Sequence, residues 1–199
     1  MTQSEIYHTL ALMQVEGVGD VIAKKLIQHC GNAQEVFASK KSHLQKIDGI
    51  GSVIINNLQD KSVFSKAEAE LQFIAKENIV TTHFQEENYP ERLKQCYDSP
   101  VLLFQAGNIN FQNRRIISIV GTRQITSYGM ESTKKFIEDI APLNPLIVSG
   151  FAYGVDIYAH QIAMDCGLQT IGVLAHGLNQ IYPKTHKKWL TEILWGLGE

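Results

Sequence analysis

The stretch SIVGTRQITSYGM, residues 118–130, decides the fold. It reads as the end of a strand, RIISIV, running into a turn at Gly121 and then into a helix over about 128–142. That order is how a Rossmann-type domain receives the pyrophosphate of a dinucleotide. A dinucleotide fingerprint would place further glycine where this loop carries Thr122 and Arg123. Arginine presents a planar fork of donors that matches phosphate oxygens. The loop therefore offers a cation where a dinucleotide loop offers bare backbone.

Working toward the C-terminus, the pattern repeats. The strand PLIVS leads to SGFAYG, Ser149 to Gly154, and a helix over about 155–166 bearing Ile157, Ala159, Ile162 and Ala163. A third strand, QTIGVLA, meets HGLNQIYPK and a last helix near 185–195. Strand–helix alternation with apolar strands predicts a parallel sheet covered on both faces. Three such units are fewer than a full doubly wound sheet holds. In such sheets ligands bind beyond the carboxyl ends of the strands. The candidate rim there is Gly121, Thr122 and Arg123, then Ser149, Gly150, Phe151 and Ala152, then His176, Gly177 and Lys184. Arg115, in a basic cluster with Arg114 and Arg123, joins the candidates, and Lys184, Lys187 and Lys188 form a second cluster. The first two loops feed helix N-termini, whose N–H groups and dipole favour an anion. The competing reading is that the glycines only permit tight turns, Arg123 pairs with an acid, and both clusters are solvated surface.

Nothing here assembles a catalytic constellation. Asp156 suits a helix cap, His160 packing or a hydrogen bond, and His186 a surface or first-turn position. His176 reaches a ligand position without a nucleophile beside it. There is no GxSxG, GxxxxGK[ST] or HExxH pattern. Tyr128, Phe151 and Tyr153 are candidates to stack on bases, or equally for the core.

Upstream, residues 1–75 read as short helices, with apolar stripes such as Ile6, Leu10 and Met13. Two segments match, VEGVGDVIAKKL at 15–26 and IDGIGSVIINNL at 47–58. Each is a helix-hairpin-helix signature, in which glycines turn the chain sharply and the next helix start can meet a phosphate. Lys24 and Lys25 add charge after the first copy, where the second has Asn56 and Asn57. Such modules also serve as packing or protein-binding units. Residues 76–110, with IVTTHF and SPVLLFQAGN, read as a connector carrying one or two strands. The predicted organisation is a small all-α helix-hairpin-helix (SAM-like) domain at 1–75, this connector, and an incomplete Rossmann-like domain at 111–199.

Composition excludes several classes. The 199 residues are 44% hydrophobic, with no apolar run approaching the roughly 20 residues of a membrane span. The N-terminus has no secretory pattern, and Cys30, Cys96 and Cys166 stand singly, so reduced thiols in the cytoplasm are expected, with no metal cluster. Net charge is −2, with −3 in residues 1–109 and +1 in 110–199. A polyanion site must therefore be a local focus of basic side chains.

With these residues quoted, SIVGTRQITSYG, IVSGFAYGVDIYAHQIAM and GVLAHGLNQIYPKTHKK together closely resemble the central domain of the DNA-processing protein A (DprA/Smf) family, over about residues 85–190. The resemblance implies a Rossmann-like fold that binds single-stranded DNA without catalysis or cofactor. It further implies loading of the RecA recombinase during natural transformation, by a homodimer. It carries DNA contact onto Arg123 and Lys184 and a pocket lining onto Ser149 to Gly154. Tyr153 departs from the basic residue many members have there, and the tail WLTEILWGLGE departs from the family's further strands, so a shortened or altered sheet is expected. Two other readings stand beside it: a nucleotide-binding hydrolase of the phosphoribohydrolase type, whose PGGxGT stretch is missing, and an interaction scaffold docking through the hairpin module.

Overall fold

Glycine shapes the first half of the chain at two equivalent points. Gly17 and Gly49 both have φ +83°, the left-handed region that favours glycine. Each turns a short helix back into the next one, and Gly19 and Gly51 then cap that next helix. The computed structural model describes residues 1–109, 111, 115–187 and 189. It divides into two units, Met1–Gln105 and Ala106–Glu199.

The first unit holds helices α1 (Gln3–Met13), α2 (Asp20–Cys30), α3 (Ala33–Ala38), α4 (Lys41–Leu44), α5 (Ser52–Asn57) and α6 (Ser62–Lys76). Helix α1 starts with a reciprocal cap, in which Glu5 N–H donates to the Thr2 hydroxyl and Thr2 N–H to the Glu5 carboxylate. The apolar stripe expected on it is buried at Leu10 and half-buried at Ile6 and Met13.

The two hairpin repeats brace one another. Lys25 Nζ donates to the Asp48 carbonyl at 3.4 Å, and Asn57 Nδ2 donates to the Glu16 carbonyl at 3.0 Å. Lys25 and Asn57 hold matching positions in the two repeats, as do Glu16 and Asp48. Each copy thus closes the other's turn. The two lysines expected to add charge after the first hairpin are both engaged within the unit. Lys24 is buried, its Nζ donating to Ser99 Oγ at 2.6 Å and to the Tyr97 carbonyl at 3.4 Å.

Strands β1 (Val80–His83) and β2 (Leu102–Gln105) pair antiparallel, with Val80 opposite Gln105 and His83 opposite Leu102. Between them lies the short helix α7 (Glu91–Lys94). Val101 and Leu102 share the core of the helices, and Val101 N–H donates to Asp20 at the start of α2. Residues 76–105 are accordingly sewn onto the helical module.

The second unit follows the predicted alternation. Strand β3 (Ile116–Ser118) leads to α8 (Ser127–Ile140), β4 (Leu146–Ser149) to α9 (Val155–Asp165), and β5 (Thr170–Gly172) to a 3₁₀ turn, Lys184–His186. The sheet is parallel in the order β3-β4-β5, with Ile117 beside Ile147 and Ile147 beside Thr170. Ile137 of α8 and Ala159 and Ile162 of α9 all pack with Ile147 and Ile117. Both described helices therefore lie on one face. The reason is handedness: right-handed crossovers between strands laid down in sequential order put successive helices on the same side. Most of the helix predicted near 185–195, with Arg114 and Lys188, lies outside the described residues.

Candidate nucleic-acid interface

Because the sheet is parallel, three loops leave it at one end. The first, residues 119–126, is pressed against the second. A Cβ on Gly121 would stand 2.6 Å from Val155 Cγ2. A Cβ on Gly154 would fall on the Thr122 carbonyl oxygen and within 2.6 Å of the Arg123 carbonyl carbon. Gly154 has φ +80° and ψ −124°, a combination open essentially to glycine alone. Val155 N–H then donates to the Thr122 carbonyl at 3.1 Å. The first amide of α9 is thus consumed by the neighbouring loop, not left open to an anion as the sequence predicts.

Arg123 projects from this pinned backbone. It is exposed, and among the described residues no carboxylate pairs with it. The competing reading, in which Arg123 neutralises an acid, finds no such partner among them. Thr122 folds its hydroxyl inward to accept the Gln124 N–H at 3.1 Å, which tightens the turn under Arg123. Helix α8 then opens with Thr126 as its cap, accepting the Gly129 N–H at 3.1 Å.

The second loop is mostly structural. Ser149 is buried and its hydroxyl donates to the Ile119 carbonyl at 2.6 Å, tying β4 to the exit of β3. Gly150 leaves room for the buried Asp156, whose Oδ2 would lie 2.6 Å from an added Cβ. Ala152 is half-buried and its carbonyl accepts the Ile157 N–H. Phe151, a candidate for base stacking, is only 2% exposed and sits at φ +59°. Its ring packs against His160 and edge-on to His186, at 5.8 and 5.4 Å between centroids. It belongs to the core.

The third loop returns across the second. His186 is buried, not at the surface, and its Nδ1 donates to the Phe151 carbonyl at 3.0 Å. Thr185 lies 3.4 Å from the Tyr153 hydroxyl. His176 lies with Nδ1 3.0 Å from the Gly177 carbonyl and Nε2 3.4 Å from the Tyr182 carbonyl, and a ring with one N–H donates to one of the two, bracing its own loop. Gly177 gives room to Asn179, whose Oδ1 would be 2.9 Å from an added Cβ. Lys184 is exposed at the start of the 3₁₀ turn, and no carboxylate among the described residues pairs with it.

The loops thus interlock, first to second through Gly154 and second to third through His186. They present Arg123 and Lys184, both exposed and without a carboxylate partner among the described residues. Around them stand exposed phenol rings: Tyr128 at 79%, Tyr182 at 60%, and Tyr153. Tyr182 goes unremarked in the sequence because nothing local separates it from a core tyrosine. Arg115 is not part of the rim. Its carbonyl accepts the Leu146 N–H at the opposite end of the sheet, before β3 begins.

His160 lies beneath the rim and is fully buried. Thr170 donates its only hydroxyl proton to the Ile147 carbonyl, so it accepts from His160 Nδ1 at 2.6 Å. The proton of the neutral ring is therefore on Nδ1, and Nε2 is a buried acceptor without a partner among the described residues. Burial, reinforced by His186, lowers its pKa to about 4. This imidazole stays neutral and is walled off from solvent.

Comparison with known proteins converges on one family. The family model for DNA recombination-mediator protein A matches residues 80–197. Protein Smf of Synechocystis is 28% identical over 207 residues, covering 97% of this chain and 50% of its own length. DNA processing protein DprA of Streptococcus pneumoniae is 41% identical over 101 residues, half of this chain and 35% of its own. The X-ray structure of DNA processing protein A from Streptococcus pneumoniae superposes with a TM-score of 0.68 at 27% identity, covering 98% of this chain and 65% of that one. The chain spans half or less of the length of these two curated relatives.

Proposed function

From the premise that the chain belongs to the family of DNA recombination-mediator protein A, we propose that its α/β unit grips the backbone of single-stranded DNA across the three-loop rim. Arg123 and Lys184 meet phosphates, and Tyr128, Tyr153 and Tyr182 give the bases faces to stack on. The carrying observation is Arg123, an exposed guanidinium without a carboxylate partner among the described residues, on a backbone held by Gly154 and Val155. With the backbone already held, only the side chain has to be ordered when a phosphate arrives, and the planar guanidinium is preorganised for phosphate oxygens. The role is binding, not catalysis. The histidines of this unit are engaged with Thr170, with the Phe151 carbonyl and with carbonyls of the third loop. In the cytoplasm, as part of a homodimer, the bound strand would be handed to the RecA recombinase.

The test is fluorescence anisotropy of labelled oligo-dT across a salt series. Parental affinity should fall steeply with salt, as counterions are released. Arg123→Ala and Lys184→Ala should each weaken binding and reduce the log–log salt slope by about 0.7 per lost phosphate contact. Arg115→Ala should leave both unchanged. If Arg123→Ala and Lys184→Ala bind as the parent does, the rim is not the DNA site.

A further inference from the structure

The first unit carries a side-chain pair that is not part of the proposed DNA rim. His29, in the last turn of α2, and His43, in α4, point their outer nitrogens at each other, with Nε2 to Nε2 at 3.1 Å. Their rings are inclined at 51°, with centroids 4.8 Å apart. Both side chains are exposed, so solvent reaches the gap between them. Without a third party the pair makes a single hydrogen bond, one ring donating Nε2–H to the other.

We propose that His29 and His43 form a binding site for a divalent transition-metal ion of the zinc, nickel and copper group. Imidazole nitrogen is a preferred ligand for these ions, at about 2.0–2.1 Å. Two nitrogens 3.1 Å apart at that bond length subtend about 100° at the metal, between octahedral and tetrahedral angles. Opening the pair by about 0.2–0.3 Å gives the tetrahedral angle, within the reach of two exposed side chains. Among the described residues no third histidine, cysteine, aspartate or glutamate completes a cluster, so water fills the remaining positions. Asp48 lines the same surface hollow as His29, together with Lys25. Binding consumes the Nε2 lone pair of both rings, and the donor ring moves its proton to Nδ1. The ion would join α2 of the first hairpin repeat to α4, which leads into the second, so it staples the repeats together.

The experiment is isothermal titration of the full chain with zinc, nickel and copper chlorides in a non-chelating buffer, alongside thermal unfolding with each metal. The expected result is one ion per chain, copper binding tightest, and a rise in the unfolding midpoint that a chelator reverses. His29→Ala and His43→Ala should each lower affinity by more than about tenfold, the scale of losing even an indirect metal contact. His8→Ala and Cys30→Ser should bind as the parent does. Because both histidines are exposed, the variants keep the fold, which circular dichroism checks. Absence of binding, retention of affinity in His43→Ala, loss of it in Cys30→Ser, or one ion per two chains would each overturn the assignment.

Discussion

Replacing Gly154 by alanine tests whether the rim is one interlocked device. The new methyl falls on the Thr122 carbonyl and stands within 2.6 and 2.7 Å of the Arg123 carbonyl carbon and oxygen. All three are backbone atoms, so no side chain can swing away to make space. Two costs follow. The backbone at φ +80° and ψ −124° is foreign to an L-residue and costs about 1–3 kcal/mol. Displacing the packed loop adds about 1–3 kcal/mol, the scale of overpacking a close-packed site. Gly167→Ala separates the two, since Gly167 has φ +69° but open space where its Cβ would go. Urea unfolding should therefore show Gly154→Ala losing about 1–3 kcal/mol more than Gly167→Ala. Under conditions where both are folded, only Gly154→Ala should lose affinity for oligo-dT, because only it moves the backbone beneath Arg123. Equal stability losses would show that the loop contact carries no energy. Parental affinity in Gly154→Ala would show that the position of Arg123 does not matter to binding.

Two further outcomes follow from buried polar groups. His160 keeps a neutral ring down to about pH 4, whereas the unfolded chain protonates it near 6.5. Its folded pKa is depressed, so stability present above pH 6.5 is lost as pH falls through the window to about 4, by an amount of about 3 kcal/mol. His83 in the first unit is also held below its ordinary value, chiefly by burial, and pushes the same way. Comparing the parent with His160→Gln in denaturant melts across that window isolates the one residue; NMR titration of the His160 ring, with no protonation until well below pH 6, is the check if the variant folds poorly. Lys24→Ala should cost about 1–3 kcal/mol, because it leaves Ser99 without its partner, and should not weaken binding of oligo-dT. Weaker binding without a stability change would restore Lys24 to the DNA-facing role.

Much of this was legible in the residues because it depends on neighbours in the chain. Strand–loop–helix alternation follows from periodicity, and α8 and α9 begin and end within two residues of the predicted bounds. The hairpin glycines announced themselves by spacing alone. What sequence missed depends on partners far away. Lys24 looks like a surface cation until Ser99, 75 residues on, is folded against it. Phe151 reads equally as a stacking ring or a core residue, and it is buried because Gly172 on the neighbouring strand leaves space for it, with its Cβ 3.4 Å from where a side chain would begin. Arg115 joins Arg123 in a count of charges, but a strand lies between them and points them to opposite ends of the sheet. Alternation says that helices cover the sheet; that α8 and α9 share a face follows from strand order, which alternation does not encode.

The crossed bonds of the two hairpins have a consequence of their own. Lys25 and Asn57 perform the same task at matching places, each clasping the turn of the other repeat. The arrangement is that of a two-fold dimer whose halves have been written into one chain. Its bonding is alike on both sides, but its charge is not, since one clasp is a cation and the other a neutral amide. A scaffold of that kind has a front and a back. Any elongated partner laid across the pair meets an ammonium beside Asp48 at one turn and an amide beside Glu16 at the other, and so has a preferred direction.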